Sequence, residues 1–224
     1  MADPAAALAW LQLHDNAFPA GRFVHSYGVE SWLQAHPAAS DSEICRLAES
    51  FVRHSVATLD AVVVAHAWAV EELSALTALD ALTTSYKLTA NARAASHGCG
   101  RQFALVAQQV GVRAPFLGAV TGGRADGNLA VVEAVVQREL GIGRLDAALG
   151  SIRSGYAGVL SAAVRLGRLG PIRAQRALLD ARRQMVEMAR LALATPLDDM
   201  HSTTPELEIW AMRHETASGR MFTT

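Results

Sequence analysis

Residues 40–52 read Ser40-Asp41-Ser42-Glu43-Ile44-Cys45-Arg46-Leu47-Ala48-Glu49-Ser50-Phe51-Val52. The first four form a capping box. The Ser40 hydroxyl is placed to accept from the Glu43 amide, and the Glu43 side chain reaches back to the amide of Ser40. Ile44, Leu47, Ala48, Phe51 and Val52 then recur at i, i+3, i+4, i+7 and i+8. That spacing puts one apolar stripe on a helix of 3.6 residues per turn.

Working outward, the same period continues. Toward the C-terminus, residues 59–73 are apolar almost all round, as a central helix should be, and a short helix over 74–83 follows. Residues 86–110 read as a long helix closed by Gly111, with Gly98 and Gly100 inside it. Interior glycines weaken a helix by up to about 1 kcal/mol each, and they let another backbone come close. Residues 113–128 carry Pro115, Gly118, Gly122, Gly123 and Gly127 and read as a loop. Asn128 is placed to cap a helix over 129–140 that Gly141 ends. Helices over 146–169 and 172–194 hinge at Gly170-Pro171, and Thr195-Pro196 stops the second. Toward the N-terminus, helices are expected over 26–36 and 5–13. No run alternates with period 2, and no Asn-Gly hairpin appears. The expectation is an all-α, single-domain multi-helix bundle over residues 1–196 with a flexible C-terminal tail over 197–224.

Two stretches stand apart from the periodic helices. Residues 17–30 crowd Phe18, Pro19, Phe23 and Tyr27 between Gly21 and Gly28, so aromatics sit on a turn. They are either tucked inward or presented to a partner. The tail holds five acids, two arginines and two histidines, and Pro205 opens one short helix over 206–214. Such an end stays mobile until something binds it. Trp210 in that polar context points to docking on another surface.

Composition narrows the function. The chain is 51% hydrophobic and 18% charged, with net charge −1, so no global bias draws it to nucleic acid or an anionic membrane. Part of the apolar excess is helix-forming alanine, and part is surface for another protein to cover. No run of about 18 apolar residues lacks charge, so no membrane span is expected. Two cysteines, Cys45 and Cys99, fit a reducing compartment. The N-terminus lacks the basic region of a secretory signal; a cytoplasmic location is expected. Of the 20 lysines and arginines only Lys87 is lysine, and it stands in Tyr-Lys-Leu. A P-loop needs Gly-Lys-Ser/Thr and is therefore excluded.

No motif announces catalysis. Gly-x-Ser-x-Gly is absent, and His25 and Ser26, being adjacent on a helix, point apart. His-x-x-x-His and Cys-x-x-Cys are absent too, and His97-Gly98-Cys99 is the nearest approach to metal-ligand spacing. Residues 141–195 carry nine arginines against Asp146, Asp180 and Glu187, with Arg165, Arg168, Arg173, Arg176, Arg182, Arg183 and Arg190 concentrated in the second half. A solvated face, an acidic protein partner and nucleic acid all fit that strip.

Four blocks, in order along nearly the whole chain, resemble the signatures of the urease accessory protein UreF family. The first is Leu11-Gln-Leu-His-Asp15 followed by Phe18-Pro19-x-Gly21-x-Phe23-x-His25-Ser26-x-Gly28-x-Glu30. The second is Arg93-Ala-Ala-Ser96 with Gly100-Arg101-Gln102. The third runs from Arg165 to Gln175. The fourth is Met212-Arg-His-Glu215 with Arg220-Met-Phe222.

The resemblance implies an all-helical protein with no catalysis of its own and no tightly bound cofactor. It implies a homodimer that binds UreD (UreH), recruits the GTPase UreG and acts on apo-urease so that nickel reaches its active site. It places Phe23, with His25, Ser26 and Tyr27 beside it, in partner assembly. It makes the tail around Arg213, His214, Glu215, Arg220 and Phe222 the segment that docks into UreD; Trp210, read above as a docking residue, joins them as a partner-binding candidate. The rival expectations are a helical hydrolase built on His66 or His97 and an arginine-rich nucleic-acid binder.

Overall fold

The capping box forms as read: Ser40 N donates to Glu43 Oε2 at 2.8 Å, and Ser40 Oγ accepts from Glu43 N. In the computed structural model, which describes residues 3–15, 17–217 and 219–223, this box opens helix α3, Asp41–Phe51. Ser218 and Thr224 of the expected tail lie outside the described residues. Ahead of α3 come α1 (Pro4–Leu13) and α2 (Val29–Ala35). Behind it the chain continues as a π-helical segment, Val52–Asp60, straight into α4 (Ala61–Trp68). Then follow α5 (Leu73–Tyr86), α6 (Ala90–Gln109), α7 (Pro115–Thr121), α8 (Leu129–Glu139), α9 (Arg144–Arg165), α10 (Pro171–Asp180), α11 (Arg182–Ala194) and α12 (Pro205–His214). No strand occurs among the described residues.

The apolar stretch read as central is central. Ala61, Val62, Val63, Val64, Ala65 and Ala67 of α4 are fully buried. A helix apolar on every side has to be enclosed, and α8, α9 and α11 enclose it. Each buried valine there contributes about 1.5–3 kcal/mol by leaving water. Polar ends tie this core together: Trp68 Nε1 donates to the carbonyl of Ile142 at 2.9 Å, and Arg144 Nε to that of Ala65 at 2.7 Å.

Several boundaries differ from the sequence reading. Residues 113–128 are not a loop throughout. They contain α7, whose Phe116, Leu117, Ala119 and Val120 are buried; tertiary burial outweighs the propensity cost of Gly118. Asn128 does not cap α8 through its side chain. Its amide donates to Asp80 Oδ1 at 2.9 Å and to Thr84 Oγ1 at 2.8 Å, pinning α5 to the start of α8. The helix expected over 86–110 starts at Ala90, capped by Thr89, because Tyr86 still belongs to α5. The helix expected over 172–194 is broken at Ala181 into α10 and α11. Finally, α2 starts at Val29 rather than at 26, because Tyr27 and Gly28 both have left-handed φ, 57° and 85°. A right-handed helix cannot run through two such residues.

Candidate protein-docking surface

The turn that delays α2 also shapes its surface. Gly28 is buried, and a Cβ built on it would stand 2.6 Å from the carbonyl oxygen of Leu207 and 2.9 Å from the amide of Ala211. So α12 lies with its backbone directly on Gly28. Two residues on, Glu30 enters the interior at 2% exposure. There its carboxylate accepts from His214 Nε2 at 2.9 Å, from the Met221 amide at 2.8 Å and from the Phe222 amide at 3.1 Å. Burial alone would raise the pKa of Glu30. The hydrogen bonds from His214, Met221 and Phe222 outweigh it and hold the group below the usual carboxylate range. On the outer side of α2, Trp32 Nε1 donates to Glu206 Oε1 at 2.6 Å. His36 stacks on Trp32, Trp210 meets His36 edge-on, and Arg213 lies 4.6 Å over Trp210.

The end of the chain closes on the same turn. The guanidinium of Arg165, at the end of α9, stands 3.5 Å from the centre of the Phe23 ring and 4.4 Å from that of Phe222. It also donates to the carbonyl of Phe23. The amide of Thr223 donates to the carbonyl of Val24 at 2.8 Å. Upstream of α12, the amides of His201 and Thr203 donate to the carbonyls of Thr58 and His54 on the π-helical segment.

The ten expected partner-binding residues thus gather into one region drawn from both ends of the chain, but with two different exposures. Phe23 (56% exposed), Arg213, Glu215 and Arg220 are at the surface, and Tyr27 and Trp210 are half-buried. His25, Ser26, His214 and Phe222 are buried. The segment expected to be a flexible tail closes on the body in this structure, with Leu207, His214 and Phe222 inside and Ile209, Met212 and Met221 outside. Phe23, Val24 and Met221 are exposed where the two ends of the chain meet: Arg165 lies over Phe23, Thr223 bonds to Val24 and the Met221 amide to Glu30. Glu30, Gly28 and Arg165 organise this region and were not singled out as site residues. One signal was available for Glu30: an acid between Val29 and Ser31-Trp32 that no neighbouring lysine or arginine explains.

Behind the turn, Arg22 pairs with buried Glu133 at 2.7 Å and lies over Phe103. Both line a cleft of about 160 Å³ whose wall also includes Thr204, Leu207 and Ala211. Four groups on its wall, His25, Tyr27, Cys99 and Glu133, are displaced toward their neutral forms. Burial pushes the Cys99 thiol up to about 11 and raises Tyr27 and Glu133, although Arg22 opposes the shift at each. A thiol so raised is not an activated nucleophile. His97 meets Thr84 Oγ1 at 3.0 Å, and among the described residues no group of three or more His, Cys, Asp and Glu is arranged to hold a metal ion. Of the arginine strip, Arg165 is taken up between the two phenylalanines, and Arg168 donates to the carbonyls of Leu33, His36 and Pro37. No helix among the described residues is long and apolar enough to cross a membrane.

A family profile described as UreF matches residues 39–182. The chain belongs to the UreF family. Proteins named urease accessory protein UreF are similar to it over nearly their whole length. That of Trichodesmium erythraeum is 27% identical, the alignment covering 98% of this chain and 97% of the relative. That of Corynebacterium efficiens is 28% identical over 96% and 95%, and that of an Arthrobacter species 29% identical over 96% of each. The profile match stops short of both the Phe23 turn and α12, whereas these UreF relatives align across nearly the whole chain.

Proposed function

We propose that this UreF-family protein is a non-catalytic adaptor in urease maturation. It joins UreD (UreH) and recruits the GTPase UreG, as a homodimer, so that nickel is inserted into apo-urease in the cytoplasm. Nickel is the cargo of the assembly and not a cofactor of this chain. The observation that carries the reading is the exposure of Phe23, Val24 and Met221 at the place where the two ends of the chain meet. These are exposed side chains on a support that Glu30 and Arg165 tie together from both chain ends. An exposed aromatic and two exposed aliphatic side chains on this support, with exposed Arg213, Glu215 and Arg220 on the same C-terminal segment, have the anatomy of a protein interface. The names of the relatives supply its context.

The test is co-expression with UreD and UreG followed by size-exclusion chromatography. A co-eluting complex that weakens at least about tenfold with Phe23→Ala is the expected result, as for an interface anchor. Co-elution unaffected by Phe23→Ala argues against this face. GTP hydrolysis by the purified chain alone would defeat the non-catalytic reading, and submicromolar nickel binding by the isolated monomer in calorimetry would defeat the reading of nickel as cargo only.

A further inference from the structure

We propose that the cleft between α9 and the turn of residues 14–27 is a binding site for a small organic oxyanion, a carboxylate or phosphate group carried on a compact apolar body. This goes beyond the adaptor reading and does not depend on it.

This second cleft has a volume of about 390 Å³, at the small end of the range of about 300–1,000 Å³ that ligand sites occupy. One face of α9 lines it. Ser154, Ala157, Gly158, Ser161, Ala162 and Arg165 recur there at i, i+3, i+4, i+7, i+8 and i+11. The side chains between the two polar ends are small, so the turn that crosses them leaves space. Phe18, Pro19 and Phe23 of that turn supply an apolar wall.

The charge on the lining is unbalanced. Arg22, Arg153 and Arg165 face a single lining carboxylate, Asp15. Arg22 has its partner in Glu133 at 2.7 Å. Among the described residues neither Arg153 nor Arg165 forms an ion pair with a carboxylate, and Asp15 Oδ1 accepts from the amide of Ala17 at 2.7 Å. The two guanidiniums are nevertheless held in place. Arg153 donates to the carbonyl of His14 at 3.3 Å, and Arg165 to that of Phe23. Donors fixed before a ligand arrives lose little freedom on binding it, and a guanidinium matches the geometry of an oxyanion. A hydroxyl stands beside them: Ser154 Oγ lies 2.9 Å from His14 Nδ1 and accepts from Arg22 Nη1 at 3.3 Å. The His14 ring registers the positive field. Burial first, then Arg22 and Arg153, lowers its pKa to about 3 and keeps it neutral. The same field that repels a proton there attracts an anion.

The test is isothermal titration calorimetry of the full-length protein with phenyl phosphate and benzoate, and with benzyl alcohol, benzylamine and inorganic phosphate as comparisons. The expected result is one saturable site per chain for at least one of the two aromatic anions, about tenfold or more tighter than for any of the three comparisons. Arg153→Gln should weaken that binding about tenfold, and Arg176→Gln, exposed and away from the cleft, should leave it unchanged. Ser161→Leu keeps every charge but fills the space over α9, and should abolish it. Anion binding that Arg176→Gln weakens as much as Arg153→Gln does, or that survives Ser161→Leu, is attraction to the arginine-rich surface and overturns the site. Benzyl alcohol, benzylamine or inorganic phosphate binding as tightly as the aromatic anions overturns the ligand class. No saturable binding of either aromatic anion overturns the proposal outright. Should Arg153→Gln fail to fold, the comparison of the unaltered chain with Ser161→Leu decides. Co-elution with UreD and UreG is a separate measurement, so the adaptor reading survives or fails on its own.

Discussion

The carboxylate of Glu30 and the imidazole of His214 stand 184 residues apart in the chain and 2.9 Å apart in the fold, both almost fully buried. The first turn of α2 and the last turn of α12 are thereby one structural unit.

The folded-state pKa of Glu30 is lowered, so its stabilisation is fully present above the ordinary carboxylate value and is lost as pH falls through the lowered folded one. Acidification should therefore free the segment after Thr204 before the core unfolds. Pepsin digestion across a pH series is expected to cut first near Leu207 and Phe222, with Glu30→Gln cut there even at the upper end of the pepsin range. Cleavage beginning in α4 would contradict this.

His14 gives a second acid dependence at a different place. It is buried against Gly150, bonded to Ser154 and Gln137, and burial, with Arg22 and Arg153 nearby, lowers its pKa to about 3. The unfolded chain takes up the proton first, so stability declines as pH drops below the normal histidine value, until His14 itself titrates in the fold. The slope contributed is at most about 1.4 kcal/mol per pH unit. Urea titrations between pH 7 and 4 should show a shallower decline for His14→Gln; an identical slope would assign the effect elsewhere.

Gly98 and Gly100 sit in the same helix and should respond oppositely to alanine. Nothing lies within 4 Å of a Cβ at Gly98, whereas one at Gly100 would meet the carbonyl oxygen of Gly127 at 2.0 Å. Gly98→Ala is expected to stabilise by about 0.5–1 kcal/mol through helix propensity. Gly100→Ala is expected to destabilise by about 2 kcal/mol or more through backbone displacement. Chemical denaturation of the two variants measures both signs, and equal signs would refute the close approach of α6 to residue 127.

Asp80 is fully buried and accepts from the amides of Gly127 and Asn128 and from the Asn128 side chain, at 2.8, 2.7 and 2.9 Å. Its removal strands three donors, so Asp80→Ala should cost about 3 kcal/mol or more. Asp80→Asn, which keeps one acceptor, should cost less. Thermal melting of the pair checks the order, and equal losses would show that the charge alone matters.

The histidine and arginine patterns show where sequence reading stopped. His97 beside Cys99 had metal-like proximity, yet the ring turns to Thr84 and the thiol to the interior, because neighbours two apart on a helix do not share a face. Arg165 belonged to a strip of apparent surface charge, but its position at the end of α9 brings it between Phe23 and Phe222. Which arginine of a strip finds two rings depends on where other elements end, and local spacing carries no record of that.

What the sequence determined by itself was the helical architecture, the capping box at Ser40, the central burial of α4 and the family, since each is written in local periodicity or in blocks of neighbouring residues. What only the tertiary structure decided was that the two ends of the chain meet on Glu30, that 113–128 folds in part into α7, and that the chain's last residues lie partly inside. Those outcomes depend on long-range burial and on hydrogen bonds between residues far apart in the chain. Their free energies exist only once the helices have packed.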